Sequence, residues 1–156
     1  MAEHILLLGA DLGDPPRTFA RATELITRRV GPVRAVSRDH WTRPWGFSGA
    51  HLFLNRALAV DSGSPPPQVM QTLLEIEQEL GRQRPATGGY ASRAIDIDIL
   101  FIEGQVIDLP GLAVPHPRVH LRAFALGPAA DIAPALVHPG LGRTVLQLLD
   151  QVPPEP

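Results

Sequence analysis

Arg93-Ala94-Ile95-Asp96-Ile97-Asp98-Ile99-Leu100-Phe101 alternates isoleucine with aspartate: Ile95, Ile97 and Ile99 against Asp96 and Asp98. A period of two predicts a strand with the isoleucines buried on one face. The other face carries two carboxylates, two residues apart and so roughly 6.5–7 Å between their Cα atoms. Ionised side chains at that spacing can converge on hard cations, and two metals about 3.5–4 Å apart suit phosphoryl chemistry. Taken alone, the pair also reads as an edge strand whose acids face water. The surroundings decide between the two. Arg82, Arg84 and Arg93 lie upstream in a glycine-containing segment, and His116 and Arg122 follow downstream. Carboxylates for Mg²⁺ flanked by arginines for phosphate are what a nucleotide-using transferase requires.

Composition narrows the field. A chain of 156 residues is most simply one domain, long enough for a core without staples. With no cysteine, disulfides, thiolate zinc sites and a cysteine nucleophile are excluded. All 14 basic residues are arginine, which removes the phosphate-loop lysine and Schiff-base chemistry. A net charge of −2 argues against a general nucleic-acid binder. The apolar run after Glu3 and His4 is too brief for a membrane span and lacks the basic start of a signal peptide. A cytoplasmic protein without membrane association is the expectation.

Outward from the aspartate strand, residues 4–8 read as a central strand. Asp14 can cap a helix whose first turn holds Pro15 and Pro16 and whose buried face is Phe19, Ala22, Ile26 and Val30. Gly31 and Pro32 stop it. Residues 33–41 read as a second strand with an irregular pattern, and residues 42–49 as an aromatic loop. In a third strand over 52–60, Leu52, Leu54, Leu58 and Val60 share one face, and Phe53, Asn55, Ala57 and Ala59 the other. Phe53 beside Asn55 suits a heteroaromatic ring, although the pair reads equally as packing. Ser64 is placed to cap a second helix with the stripe Val69, Leu73, Ile76 and Leu80, ended by Gly81, while Glu75, Glu77 and Glu79 mostly face solvent. Residues 82–92 read as a mobile loop. After the aspartate strand come a short strand over 106–109, the rigid Val114-Pro115-His116-Pro117, helices over 119–126 and 144–149, and a frayed tail over 151–156. The order strand–helix–strand–strand–helix–strand is the α+β, ferredoxin-like βαββαβ plan, an antiparallel sheet with helices on one face and C-terminal additions. Its open face is left for ligand, shared by Phe53, Asn55, Asp96 and Asp98 if their strands align.

Several segments together resemble a known family. They are Gly81-Arg82-Gln83-Arg84, Arg93-x-x-Asp96-Ile97-Asp98, Val114-Pro115-His116-Pro117-Arg118 and Arg122-Ala123-Phe124, with Leu54-Asn55-Arg56-Ala57 and Ile132-Ala133-Pro134. The set resembles 6-hydroxymethyl-7,8-dihydropterin pyrophosphokinase of folate synthesis, over nearly the whole chain and in order. The resemblance implies transfer of diphosphate from ATP to the pterin hydroxymethyl group, releasing AMP, by a protein expected to be a monomer. It assigns two Mg²⁺ to Asp96 and Asp98, with Asp98 also a candidate proton acceptor, and the loop arginines Arg82 and Arg93 to the transferring group. Arg84, His116 and Arg122 become phosphate contacts, and Glu77 lines the nucleotide site. Phe124 and Phe53 stack on the two pterin faces, while Asn55 and the backbone around Thr42, Pro44 and Trp45 read its polar edge.

Three departures stand out. Phe53 replaces the tyrosine the family often carries. Gly88, Gly89 and Tyr90 occupy the loop region where it usually presents an arginine and a tryptophan, which implies looser closure and slower turnover. Gly9-Ala10-Asp11-Leu12-Gly13 stands for the common Gly-Ser-Asn-Leu-Gly, a change of turn. The competing reading is a non-catalytic ligand-binding module on the same fold, which needs no aspartate pair beside arginines. A family member of weakened activity lies between the two.

Overall fold

The computed structural model describes residues 1–42, 52–81 and 94–153. Its strands are β1 (Ala2–Ala10), β2 (Val33–Val36), β3 (His40–Thr42), β4 (Phe53–Ser62), β5 (Asp96–Ile102), β6 (Ile107–Leu109) and β7 (Leu112–Val114). Its α-helices are α1 (Pro15–Arg29), α2 (Pro66–Glu79), α3 (Ala123–Ile132) and α4 (Val145–Gln151). The main sheet runs β2-β4-β1-β5, with β3 also on β4, and every pairing in it is antiparallel. β1 is central, as its unbroken apolar run predicts. The βαββαβ plan therefore holds.

The second strand departs from the expectation. It is two short strands, because residues 37–39 hold one residue more than β4 opposite them: Val36 pairs with Leu58, but His40 with Asn55. Ser37 anchors this bulge. Its backbone N–H donates to Ala57 O at 2.9 Å, and its Oγ accepts the Ala57 N–H at 2.8 Å. A second irregularity lies between Val33 and Ala35. The uneven pattern of residues 33–41 is the trace these bulges leave in the sequence.

Two cores sandwich the sheet. On one face Leu6, Leu8, Leu54, Leu58, Ile97 and Ile99 pack with Phe19 and Ile26 of α1 and Leu73 and Ile76 of α2. Ile95, Ile97 and Ile99 are all buried, as the alternation requires. On the other face Ile5, Leu7, Ala59, Leu100 and Phe101 pack with Leu126 and Ala129 of α3 and Val145 and Leu148 of α4. The C-terminal additions thus cover part of the face expected to be open. A register shift at Ile5/Leu6 against β5 accounts for Leu100 and Phe101 both serving that second core.

Helix ends follow local chemistry, with one correction. Asp14 Oδ1 accepts the Arg17 N–H at 3.3 Å, and Thr144 and Gln147 form a reciprocal capping box on α4. Ser64 does not cap α2. Pro65 occupies that position without a side-chain bond, and the Ser64 N–H donates instead to Ser62 Oγ at 3.2 Å. The helix expected over 119–126 is a short 3-10 turn (Val119–Leu121), an extended Arg122, and then α3. Val114 belongs to β7, paired with β6, and α4 reaches Gln151, one residue into the segment read as a tail. Among the described residues no helix is long and apolar enough to cross a membrane.

Among the described residues, His4 is the one histidine buried within a strand of the sheet, at 1% exposure. Its Nδ1 donates to Ala2 O at 3.0 Å, leaving Nε2 without a partner among the described residues. Burial pushes its pKa below the ordinary 6.5, with the Ala2 carbonyl and Asp61 opposing. A depressed folded value means the unfolded chain takes up the proton first. The stability this histidine permits is complete above about pH 6.5 and is lost as pH falls through the folded value. His4→Leu is expected to flatten the melting profile between pH 7 and 5 and to raise the acid-side Tm by about 2–4 °C, the equivalent of ~1 kcal/mol at this size. Thermal melts across that range check it, and an unchanged slope would show that His4 carries none of the acid sensitivity.

Candidate active site

Gly9 stands where three strands meet. It pairs with Asn55 of β4 on one side and Asp96 of β5 on the other, and His40 of β3 pairs with Asn55. Directly opposed residues of antiparallel strands carry their side chains on the same face. His40, Asn55, Gly9 and Asp96 therefore form one transverse row, and Ala57, Leu7 and Asp98 the next. The alignment that the sequence left conditional is realised: Asn55, Phe53, Asp96 and Asp98 share a sheet face. Both aspartates are partly exposed, while the isoleucines between them are buried.

Glycine at position 9 has a specific consequence. A Cβ there would lie 2.8 Å from Phe53 Cε1 and 3.3 Å from Asn55 Oδ1, so the Phe53 ring lies across backbone that only glycine leaves clear. Asn55 itself is 1% exposed, and neither Oδ1 nor Nδ2 has a partner among the described residues. A buried amide without partners costs a few kcal/mol unless something satisfies it. A planar ligand with donors and acceptors on its edge would do so. Thr42 closes this end of the site, paired with Phe53.

On the β5 side, His116 is held by its backbone N–H to Leu100 O at 2.9 Å. Its Nδ1 accepts the Arg118 N–H at 3.2 Å, so the neutral ring carries its proton on Nε2. Burial pushes its pKa down, Asp98 pulls it up, and Arg122 and Arg118 push it down again. His116, Asp98 and Arg122 thus share one electrostatic neighbourhood. The Arg122 guanidinium sits 5.4 Å above the Phe124 ring centroid, a cation–π contact at the start of α3.

Glu77 corrects the sequence reading. It does not face solvent but is 3% exposed, and its Oε2 accepts the Ile97 N–H at 2.7 Å. Ile97 lies between the two aspartates, so Glu77 grips the acid-bearing strand at its outer edge. The signal was present, since Glu77 follows Leu73 by four residues on the buried stripe. Arg82, Arg84, Arg93, Pro44, Trp45 and the Gly88-Gly89-Tyr90 departure lie outside the described residues. The sequence reading missed Gly9 as the floor beneath Phe53, although a glycine ending an apolar strand is a mark of close approach. It also missed His40 and its partner Asp131. A cavity of about 420 Å³ lined by Arg17, Arg21, Glu79 and Gly81 lies elsewhere and includes none of the row.

Comparison with known proteins identifies the family. The family model for 7,8-dihydro-6-hydroxymethylpterin-pyrophosphokinase (HPPK) matches residues 5–134. The 2-amino-4-hydroxy-6-hydroxymethyldihydropteridine pyrophosphokinase of Porphyromonas gingivalis is 40% identical over 141 residues, covering 89% of this chain and 95% of that one. Its namesake from Methylorubrum extorquens is 39% identical over 156 residues, covering 99% and 96%. The crystal structure of Plasmodium falciparum HPPK-DHPS with pteroate superposes with a TM-score of 0.74 at 14% identity, a likeness of fold. There the match takes in 96% of this chain but 44% of the longer polypeptide. By family match and by identity along nearly its whole length, the chain belongs to the 7,8-dihydro-6-hydroxymethylpterin-pyrophosphokinase family.

Proposed function

We propose that this chain transfers the diphosphate of ATP to 6-hydroxymethyl-7,8-dihydropterin, giving AMP and the pterin diphosphate, in the cytoplasm and as a monomer. The observation that carries the reading is the row Asn55–Gly9–Asp96, which joins a buried amide without a partner among the described residues to a carboxylate across three strands. One end suits a flat heterocycle and the other a metal-bound phosphate.

The carboxylates fit magnesium. Among the described residues no cluster of three or more His, Asp or Glu side chains could hold a metal by itself. Mg²⁺ commonly binds through one or two carboxylates plus substrate phosphates and water, which is what Asp96 and Asp98 can offer. When bound, two such ions neutralise the phosphate oxygens and acidify the attacking hydroxyl. The chain's own residues do the rest. Asp98 accepts the hydroxyl proton. His116 offers its Nε2–H, and Arg84 and Arg122 their guanidinium groups, to phosphate oxygens. Arg82 and Arg93 engage the charge that develops on the transferring group. Glu77 supports the nucleotide side by fixing Ile97 between the two acids. Asn55, with the backbone of Thr42, Pro44 and Trp45, reads the pterin edge, and Phe53 and Phe124 cover its faces.

Appearance of AMP from Mg-ATP and the pterin tests the reaction, and chelation by EDTA tests the metal. AMP formation that stops with EDTA and returns with Mg²⁺ is the expected result. A chain that makes no AMP overturns the reaction, and one indifferent to EDTA overturns the metal assignment. For the pterin end, Gly9→Ala is expected to raise the pterin Kd about tenfold, ~1.4 kcal/mol, by pushing the Phe53 ring off its glycine floor. Titration with ATP should be unaffected. Equal weakening of both ligands would remove Gly9 from the pterin end.

A further inference from the structure

His40 lies in the same row as Asn55, and no role has been given to it so far. Its Nε2 is 2.8 Å from Asp131 Oδ2. The Nδ1–Cε1 side of its ring lies against α3 where that helix has no side chain: a Cβ on Gly127 would be 3.3 Å from Nδ1 and 3.4 Å from Cε1. Asp131 is fixed in turn. The Arg38 guanidinium donates to it at 3.0 and 3.3 Å, and the Arg38 backbone N–H at 3.1 Å. Phe124, Gly127 and Asp131 follow one another at i, i+3 and i+7 along α3, the spacing of a single helix face. That face rests on β3, and Phe124 at its head is the ring proposed to cover the pterin.

We propose that His40, held by Asp131, is a positioning residue for the pterin: it seats α3 on β3 and so fixes Phe124 relative to Asn55 and Phe53. The inference rests on the pterin reading given above. The bulge at residues 37–39 is what brings His40 opposite Asn55, since without the extra residue the parity of β3 would reverse and Trp41 would face α3. The nucleotide side meets this arrangement at Arg122, whose guanidinium lies over the Phe124 ring, while His116 and the metal-binding acids lie at β5. The larger effect of losing His40 is therefore expected on the pterin.

Pterin binding, measured by calorimetry with a non-hydrolysable ATP analogue and Mg²⁺ present, and the KM of each substrate test this. His40→Ala is expected to weaken pterin binding and raise its KM about tenfold, the scale of a lost charge-assisted hydrogen bond, with the ATP KM within about twofold. His40→Gln, which keeps a donor near the Nε2 position, should recover most of the loss. Asp131→Asn, which leaves the fold's shape intact, should fall between the two. Equal weakening of both substrates, a glutamine variant no better than alanine, or a loss that merely follows a fall in Tm would each overturn the proposal. A wild-type chain that binds the pterin but forms no AMP would sink the kinase reading while leaving the His40 comparison valid. No pterin binding by the wild-type chain would overturn both.

Discussion

Exchanging Asp98 for asparagine is expected to lower AMP formation by about 10³-fold, with Asp96→Asn close behind. The reasoning starts from charge. Metal-assisted stabilisation of a transferring phosphoryl group supplies several kcal/mol, and ~4 kcal/mol is about three orders of magnitude in rate. Asparagine keeps the volume of aspartate and one acceptor oxygen but removes the negative charge that holds a hard cation. Both positions are partly exposed on the sheet face, so the core on the far side, Ile95, Ile97 and Ile99, is untouched. Melting temperatures within a few degrees of wild type are therefore expected alongside the loss of rate. Steady-state assays of both variants check the prediction. Rates within tenfold of wild type in both would mean the carboxylates hold no catalytic metal.

The second large effect is at Glu77. Glu77→Ala strips the acceptor from the buried Ile97 N–H, and an unsatisfied buried donor costs ~1–3 kcal/mol. The cost goes beyond stability, because Ile97 spaces Asp96 from Asp98. Letting this strand end relax by an ångström is the kind of misplacement that costs about 10²-fold in rate. Glu77→Gln keeps an oxygen acceptor and separates the two contributions. If Glu77 works by position, the glutamine variant should melt and turn over near wild type. If its charge is required at the nucleotide, the glutamine variant will keep its Tm and lose its rate. An alanine variant unchanged in both respects would show that the 2.7 Å bond does not restrain the strand.

How much of this was legible in the chain itself varies by residue. The alternation over residues 93–101 gave the burial of Ile95, Ile97 and Ile99 and the shared face of Asp96 and Asp98, because a period of two has one geometric solution. The stripes of α1 and α2 were equally readable. Glu77 was misread because helical charge next to Glu75 and Glu79 looks like a solvated face, and only the docking of α2 on β5 says otherwise. The bulge at residues 37–39 appeared as irregularity, which tells that a strand bends but not where it resumes. His40 and Asp131 are separated by 91 residues, and the bond between them follows from the pairing of β3 and the seat of α3. No local pattern encodes either. The placement of α3 and α4 on the second sheet face is of the same kind.

Across β4, β1 and β5, the line from Asn55 through Gly9 to Asp96 crosses two antiparallel gaps, about 10 Å from Cα to Cα. That span is set by backbone hydrogen bonds between neighbouring strands. In the reaction proposed above, a heterocycle anchored at the Asn55 amide presents its substituent to the acids of β5 only if its length matches this spacing. The mesh of the sheet thus serves as a gauge separating a bare ring from one bearing a hydroxymethyl arm.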